Sequence, residues 1–211
     1  MTSNRPTIST FGCRLNIWES ELIRQHATHA SLNNTVIFNT CAVTSEAEKQ
    51  ARQAIRKAKR EQPEKQIIVT GCAAQINPEK WLEMAEVDHV IGNHEKLLQD
   101  SWQRLKTNQL SDMEVTDISE ITETAAHMID SFEEHTRGFL QIQQGCNHRC
   151  SFCIIPYGRG PSRSIAAGQV VESVRALCAN GTKEVVLSGI DLTSWGQDLP
   201  GNPKLGWLVL Q

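Results

Sequence analysis

No stretch of this 211-residue sequence approaches the ~18 apolar residues of a membrane-spanning helix. The opening residues, MTSNRPTISTFGC, lack the basic-then-apolar layout of a secretory signal. These absences lead to the expectation of a cytoplasmic protein without a membrane partner, in a compartment where thiols stay reduced. Disulfide staples are not needed either, since a chain of this size buries roughly 70% of its unfolded surface. No acid–base pair stands out, and the seven histidines are scattered, with none assigned to a metal. What the sequence does have is seven cysteines, which in a reducing compartment suggest metal binding or catalysis. With 39% hydrophobic and 21% charged residues the composition is that of an ordinary soluble protein of one large or two modest domains.

The net charge of −3 is unevenly spread. Residues 1–104 sum to +1, residues 105–135 to −7 and residues 136–211 to +3. The acidic segment has no steady helical or strand period. It reads as a linker, 105–135, between an N-terminal domain, 1–104, and a second domain, 136–211. The flanking domains remain able to meet a polyanion. The basic stretch Arg52, Arg56, Lys57, Lys59 and Arg60 reads as a solvated helix face rather than an RNA contact.

A loose repeat runs through the first hundred residues. TISTFGC ends at Cys13, TVIFNTC at Cys41 and QIIVTGC at Cys72. Each is a short β-branched or apolar run, as a buried strand followed by a turn would be. Helical patterns follow at 17–30, with Asn16 as N-cap, and at 46–62, where Ser45 and Glu48 form a capping-box pattern. A shorter helix is expected from Pro78 to Ala85, and VDHVIG supplies a further strand. Alternating strands and helices imply a parallel α/β sheet with right-handed crossovers. Ligands bind such sheets at the carboxyl ends of the strands. Cys13, Cys41 and Cys72 all stand there, so cysteines separated by 27 and 30 residues are expected to converge into a three-thiolate site.

A second trio, Cys146, Cys150 and Cys153, lies in GCNHRCSFCIIPYGRGPSR. It follows a strand-like run, RGFLQIQQGC, and precedes a helical pattern at 168–180 and a strand, KEVVLSG. Mid-helix Cys178 is expected in the core. Three chemistries are compatible with the trio. Cubane iron–sulfur clusters normally take four thiolates, so three would leave one iron for a small molecule. Zinc on Cys146, His148, Cys150 and Cys153 is the second, though His148 would have to turn back within a short loop. A redox dithiol of Cys150 and Cys153 is the third.

The spacing Cys-x3-Cys-x2-Cys, with Phe152 before the last cysteine, resembles the radical S-adenosylmethionine enzymes. That resemblance implies a cluster on Cys146, Cys150 and Cys153, Phe152 near the cofactor's adenine, and Ser188, Gly189 and Asp191 of LSGIDL near its amino-acid moiety. Together with FGCRLNIWESE, NTCAVT and VTGCAAQ, the whole chain resembles the methylthiotransferases, which replace a C–H bond with C–SCH3. This implies an N-terminal α/β domain, the first strand–helix units of a partial (β/α) barrel, and a second cluster on Cys13, Cys41 and Cys72. GCRLN and RGPSRS are most similar to the branch acting on threonylcarbamoyl-adenosine beside the tRNA anticodon. Other branches act on isopentenyl-adenosine of tRNA or on a ribosomal protein.

The family's chemistry implies two 4Fe-4S clusters, S-adenosyl-L-methionine, tRNA, a reductant such as flavodoxin or ferredoxin, and a sulfur donor. Arg159 and Arg163, in YGRGPSRS, are expected at the cofactor mouth, with at least one of them in contact with substrate phosphate or the modified base. A two-cluster electron carrier is the rival from another class. The family's barrel has about six strand–helix units followed by a small β-rich RNA-binding domain, whereas the sequence here ends after GNPKLGWLVLQ. The expectation is a shortened version of a longer enzyme, poorly soluble and weakly active alone.

Overall fold

The computed structural model describes residues 5–122 and 137–211, and the chain divides after Ile118 into two compact units. In the first unit, β1 (Thr7–Thr10), α1 (Arg14–His29), β2 (Thr35–Thr40), α2 (Ser45–Glu61) and β3 (Gln66–Gly71) alternate as expected. Then come α3 (Cys72–Ile76), α4 (Pro78–Leu82), β4 (His89–Ile91), α5 (Gln99–Lys106) and β5 (Met113–Glu114). The five strands form one parallel sheet in the order β1-β2-β3-β4-β5.

Both faces of the central strands are covered, which is why their sequences are continuously apolar rather than alternating. Val36 and Phe38 pack with Ile67, Val69, Ala51 and Ile55 on one face. The intervening Ile37 and Ile68 pack with Ile23, Ala27 and Trp102 on the other. Hence α2 lies on one face and α1 and α5 on the opposite one. Since β1, β2 and β3 are consecutive neighbours, the crossovers through α1 and α2 wind with opposite hands. The expected uniform right-handed winding does not hold for one of them.

Local differences from the expected elements have identifiable causes. Asn16 is not an N-cap; Cys13 occupies that position and Asn16 lies inside α1, its amide taken by strand-end carbonyls. The α2 cap is Thr44, whose hydroxyl accepts from the Ala47 N–H at 3.2 Å, one residue before the expected Ser45. Cys72 opens a short helix of its own. The segment expected as a linker from 105 begins inside the first unit. Leu105 and Leu110 are buried against the α1 face, and β5 extends the sheet. Their apolar side chains outweigh the surrounding acidity. Residues 123–135 of that expected linker lie outside the described residues.

The basic face of α2 is engaged in intramolecular pairs: Arg52 with Glu48 and over the Trp81 ring, Lys57 with Glu61, and Lys59 with Asp88.

The second unit holds β6 (Gly138–Gln141), β7 (Gln143–Gln144), α6 (Ile155–Arg159), β8 (Arg163–Ser164), α7 (Ala167–Ala179), β9 (Val185–Ser188) and α8 (Leu205–Val209). β6 and β9 pair in parallel and β7 pairs with β8 antiparallel. Leu140, Ile142, Ile165, Val170, Trp195 and Leu208 form the core. Cys178 is exposed, not buried as expected, because the inward stripe of α7 runs through Val170, Ser173 and Leu177.

Candidate metal centres

Cys13, Cys41 and Cys72 follow the carboxyl ends of β1, β2 and β3, three adjacent strands of one parallel sheet. Adjacent strands lie about 4.8 Å apart, so the three loops leave the same edge side by side. Gly12 has a φ of +102°, and a Cβ there would fall 2.8 Å from Cys41 Sγ. Glycine thus lets the Cys13 loop pass against Cys41. Asn16 fastens the two loops: its Nδ2 donates to Phe11 O at 2.7 Å and to Thr40 O at 3.1 Å. Its Oδ1 lies 3.6 Å from Cys13 Sγ.

Beneath Asn16 runs a buried polar chain. Asn39 Nδ2 donates to Asn16 O at 3.0 Å, and Lys96 Nζ donates to Asn39 Oδ1 at 3.3 Å and to Glu19 Oε2 at 2.6 Å. Donors also reach the sulfurs. The Val43 N–H lies 3.4 Å from Cys41 Sγ, and Asn93 Nδ2 lies 3.7 Å from Cys72 Sγ. None of the three cysteines forms a disulfide. The donor set and its surroundings fit a thiolate-bound metal group.

The second trio starts where β7 ends. Gly145, with φ of +73°, passes so close to Pro161 O that a Cβ would clash with it, which only glycine permits. Cys146 N donates to Gly160 O at 3.0 Å, tying the cysteine loop to the 160s loop. Cys146 is buried, Cys153 half-buried and Cys150 exposed, and none is in a disulfide. Phe152 is 92% exposed, and Tyr157 and Ile154 are exposed beside it in sequence. This loop too carries three cysteines outside any disulfide, with an exposed aromatic side chain just before the last.

At the end of β9, Ser188 is buried and donates to Val186 O at 3.3 Å. Asp191 accepts from Thr193 Oγ1 and Ser194 Oγ, each at 2.6 Å, and pairs with His148 Nε2 at 3.2 Å. The Ser194 and Thr193 hydroxyls, with His148, hold the Asp191 carboxyl below its usual range. Among the described residues, Cys146, His148 and Asp191 are the one group of three such side chains whose ligand atoms lie mutually within 4.8 Å. That compactness suits a single ion; a multi-iron cluster spreads its thiolates more widely.

Arg159 and Arg163 are placed differently from expectation. Both are buried. Arg163 donates to Ile121 O at 2.9 Å, Pro161 O at 3.0 Å and Arg159 O at 3.1 Å. Burial and the neighbouring Arg159 charge lower its pKa to about 10. A guanidinium committed to backbone carbonyls inside the fold braces the loop instead of presenting charge to a phosphate. Asn93 and Gln143 carry no local sequence signal of a site role, and Asn16 carries only that of a helix cap. The available signal was the Gly-Cys pairs at 12–13, 71–72 and 145–146, which mark strand ends where backbone passes close to backbone.

Comparison with known proteins matches both parts of the chain. Residues 5–92 match the uncharacterized protein family UPF0004, and residues 140–198 match the radical SAM superfamily. The threonylcarbamoyladenosine tRNA methylthiotransferase MtaB of Rickettsia prowazekii is 54% identical over 205 residues, covering 97% of this chain and 48% of that protein. The chain carries a UPF0004 domain and a radical SAM domain, and its similarity to methylthiotransferases runs along nearly its whole length. MtaB of Bacillus subtilis is 36% identical over 204 residues, covering 90% of this chain and 44% of that one. The ribosomal protein uS12 methylthiotransferase RimO of Anaeromyxobacter sp. (strain K) is 32% identical over 219 residues, covering 98% and 46%. The chain therefore spans about half the length of the curated relatives it matches. Among solved structures, the radical S-adenosylmethionine methyltransferase TsrM of Kitasatospora setae matches with a TM-score of 0.53 at 16% identity, covering 82% of this chain and 39% of that one. At that identity the likeness concerns the fold alone. The radical SAM domain implies S-adenosylmethionine and a 4Fe-4S cluster. Among the described residues no helix is long and apolar enough to cross a membrane.

Proposed function

We propose that this chain carries the cluster-binding units of a tRNA methylthiotransferase that adds a methylthio group to carbon 2 of threonylcarbamoyl-adenosine beside the anticodon. The observation that carries this reading is the 54% identity with the Rickettsia MtaB across nearly the whole chain, against 32% with a RimO that acts on a ribosomal protein. When bound, a thiolate-held cluster with S-adenosylmethionine supplies one-electron chemistry able to break a C–H bond too inert for polar displacement.

The chain's own residues have distinct tasks in that scheme. Cys146, Cys150 and Cys153 hold the radical cluster as thiolates, and Cys13, Cys41 and Cys72 hold a second one. Phe152 offers an exposed aromatic face to adenine. The β9 end, Ser188 and Gly189 with the Asp191 carboxylate, receives the amino-acid end of the cofactor. The remaining partners are tRNA, a reductant such as flavodoxin or ferredoxin, and a sulfur donor. Six reduced thiols suit the cytoplasm.

A second reading is a single zinc ion on Cys146, His148 and Asp191, favoured by the convergence of those three side chains. Anaerobic reconstitution followed by metal analysis separates the two. The cluster reading expects brown protein with two clusters per chain, and Ala substitution of either cysteine trio removing one of them. Colourless protein holding zinc, with the metal lost in H148A and D191N, would replace it. The target base is tested by mass spectrometry of tRNA from cells lacking the gene, where the methylthio group should be missing from threonylcarbamoyl-adenosine.

A further inference from the structure

Gln143 is wholly buried, the first residue of β7 and three residues before Cys146. Its carboxamide is used from both ends. Oε1 accepts from the backbone N–H groups of Ile190 and Asp191, each at 2.8 Å. Nε2 lies within donating distance of Gly145 O at 2.8 Å, Gln144 O at 3.0 Å and Ser162 Oγ at 3.0 Å. A primary amide has two acceptor lone pairs and two donor hydrogens, and here both kinds are engaged. One side chain therefore joins three segments: the start of the cysteine loop, the 160s loop, and the Ile190–Asp191 turn after β9. Gly189 is shaped to the same contact, since a Cβ there would fall 3.0 Å from both Cβ and Oε1 of Gln143 and 2.8 Å from Leu192 Cδ2.

We propose that Gln143 is a positioning residue that sets the Gly189–Asp191 turn against the Cys146 loop, and so governs how S-adenosylmethionine is received there. The proposal rests on the function proposed above. Its physical basis is that no other common side chain of this size offers both an acceptor pair and a donor pair. Met fills the space but satisfies neither side. Glu accepts from the turn and repels the Gly145 carbonyl. Removing the amide leaves buried backbone groups unpaired, and each drives its segment to move in search of a new partner.

The test uses the whole 211-residue chain, reconstituted anaerobically, as parent, Q143M and G189A. Three quantities are read: iron content, the thermal transition, and the Kd for S-adenosylmethionine by equilibrium dialysis, expressed per loaded cluster. Q143M is expected to hold its iron but to weaken S-adenosylmethionine binding by roughly tenfold or more, as outer-shell substitutions do at metal centres. G189A keeps the amide and displaces the same turn from the other side, so it is expected to raise the Kd as well. If Q143M does not melt cooperatively, Q143E, which keeps the acceptor for the Ile190 and Asp191 N–H groups but not the donor side, decides the matter by the same Kd. A lowered melting temperature with the parent's Kd in both variants would mark Gln143 as purely structural and overturn the proposal. A parent chain that binds iron but not S-adenosylmethionine would instead overturn the proposed function, and the role of Gln143 with it.

Discussion

Lys96 Nζ and Glu19 Oε2 meet at 2.6 Å with both side chains fully enclosed, one side-chain layer beneath the edge that carries Cys13, Cys41 and Cys72. Lys96 also reaches Asn39, which holds the backbone of Asn16. A buried ion pair resists loss of one partner far more than loss of both, because the survivor is a charge without solvent. K96M alone is expected to destabilise the protein by about 3–5 kcal/mol, and K96M with E19L to recover most of that. Urea unfolding of the three proteins measures the difference. Equal loss in single and double variants would show that packing, not charge, is what the pair provides.

Asn16 is expected to matter for one metal centre and not the other. N16A removes the donor to Phe11 O and Thr40 O and frees the two loops that its amide joins. Each buried carbonyl left unpaired costs about 1–3 kcal/mol. Iron content after reconstitution should fall toward half that of the parent, while S-adenosylmethionine binding persists. Full iron retention would mean that the strands alone converge the cysteines.

His26 gives the first unit a dependence on pH. Burial lowers its pKa below 6.5, the neighbouring His29 adds to this, and the contact with Leu97 O at 3.2 Å opposes it. The unfolded chain therefore takes up the proton first on acidification. The contribution of the neutral ring is complete above pH 6.5 and is lost as pH falls from there to the folded-state pKa. Stability measured across pH 7 to 5 should decline, and H26Q should flatten that decline. A slope unchanged by H26Q would assign the effect elsewhere.

Cys178 should behave unlike the other six cysteines. It is exposed on α7, away from both trios in sequence. In cluster-loaded protein a maleimide is expected to label it readily, and C178S should leave iron content unchanged. Labelling confined to other cysteines would contradict its placement.

Much of the first unit was legible because its signals are local. A strand buried on both faces must be continuously apolar, so TVIFNT and QIIVTG announce themselves, and a cysteine directly after each stands at a strand end whatever the packing. The second trio was legible for a different reason, since three thiols within eight residues share one loop. Local signals misled where a residue's neighbours in space outweighed its neighbours in sequence. Asn16 looked like a helix cap and is a bridge between strand ends. Leu105 and Leu110 looked like part of an acidic linker and belong to the core. Arg159 and Arg163 looked like a phosphate contact; both are buried, and Arg163 is spent on backbone carbonyls.

The sequence by itself determined the α/β alternation and the placing of Cys13, Cys41 and Cys72 after the ends of three strands. These follow from periodicity and chain connectivity, which act over a few residues. Only the tertiary structure decided which side chains hold those strand ends together: Lys96 and Glu19 below Asn16, and Gln143 between the Cys146 loop and the Asp191 turn. A buried polar group is satisfied by whatever the fold brings within about 3 Å of it, and that pairing is written in no local pattern.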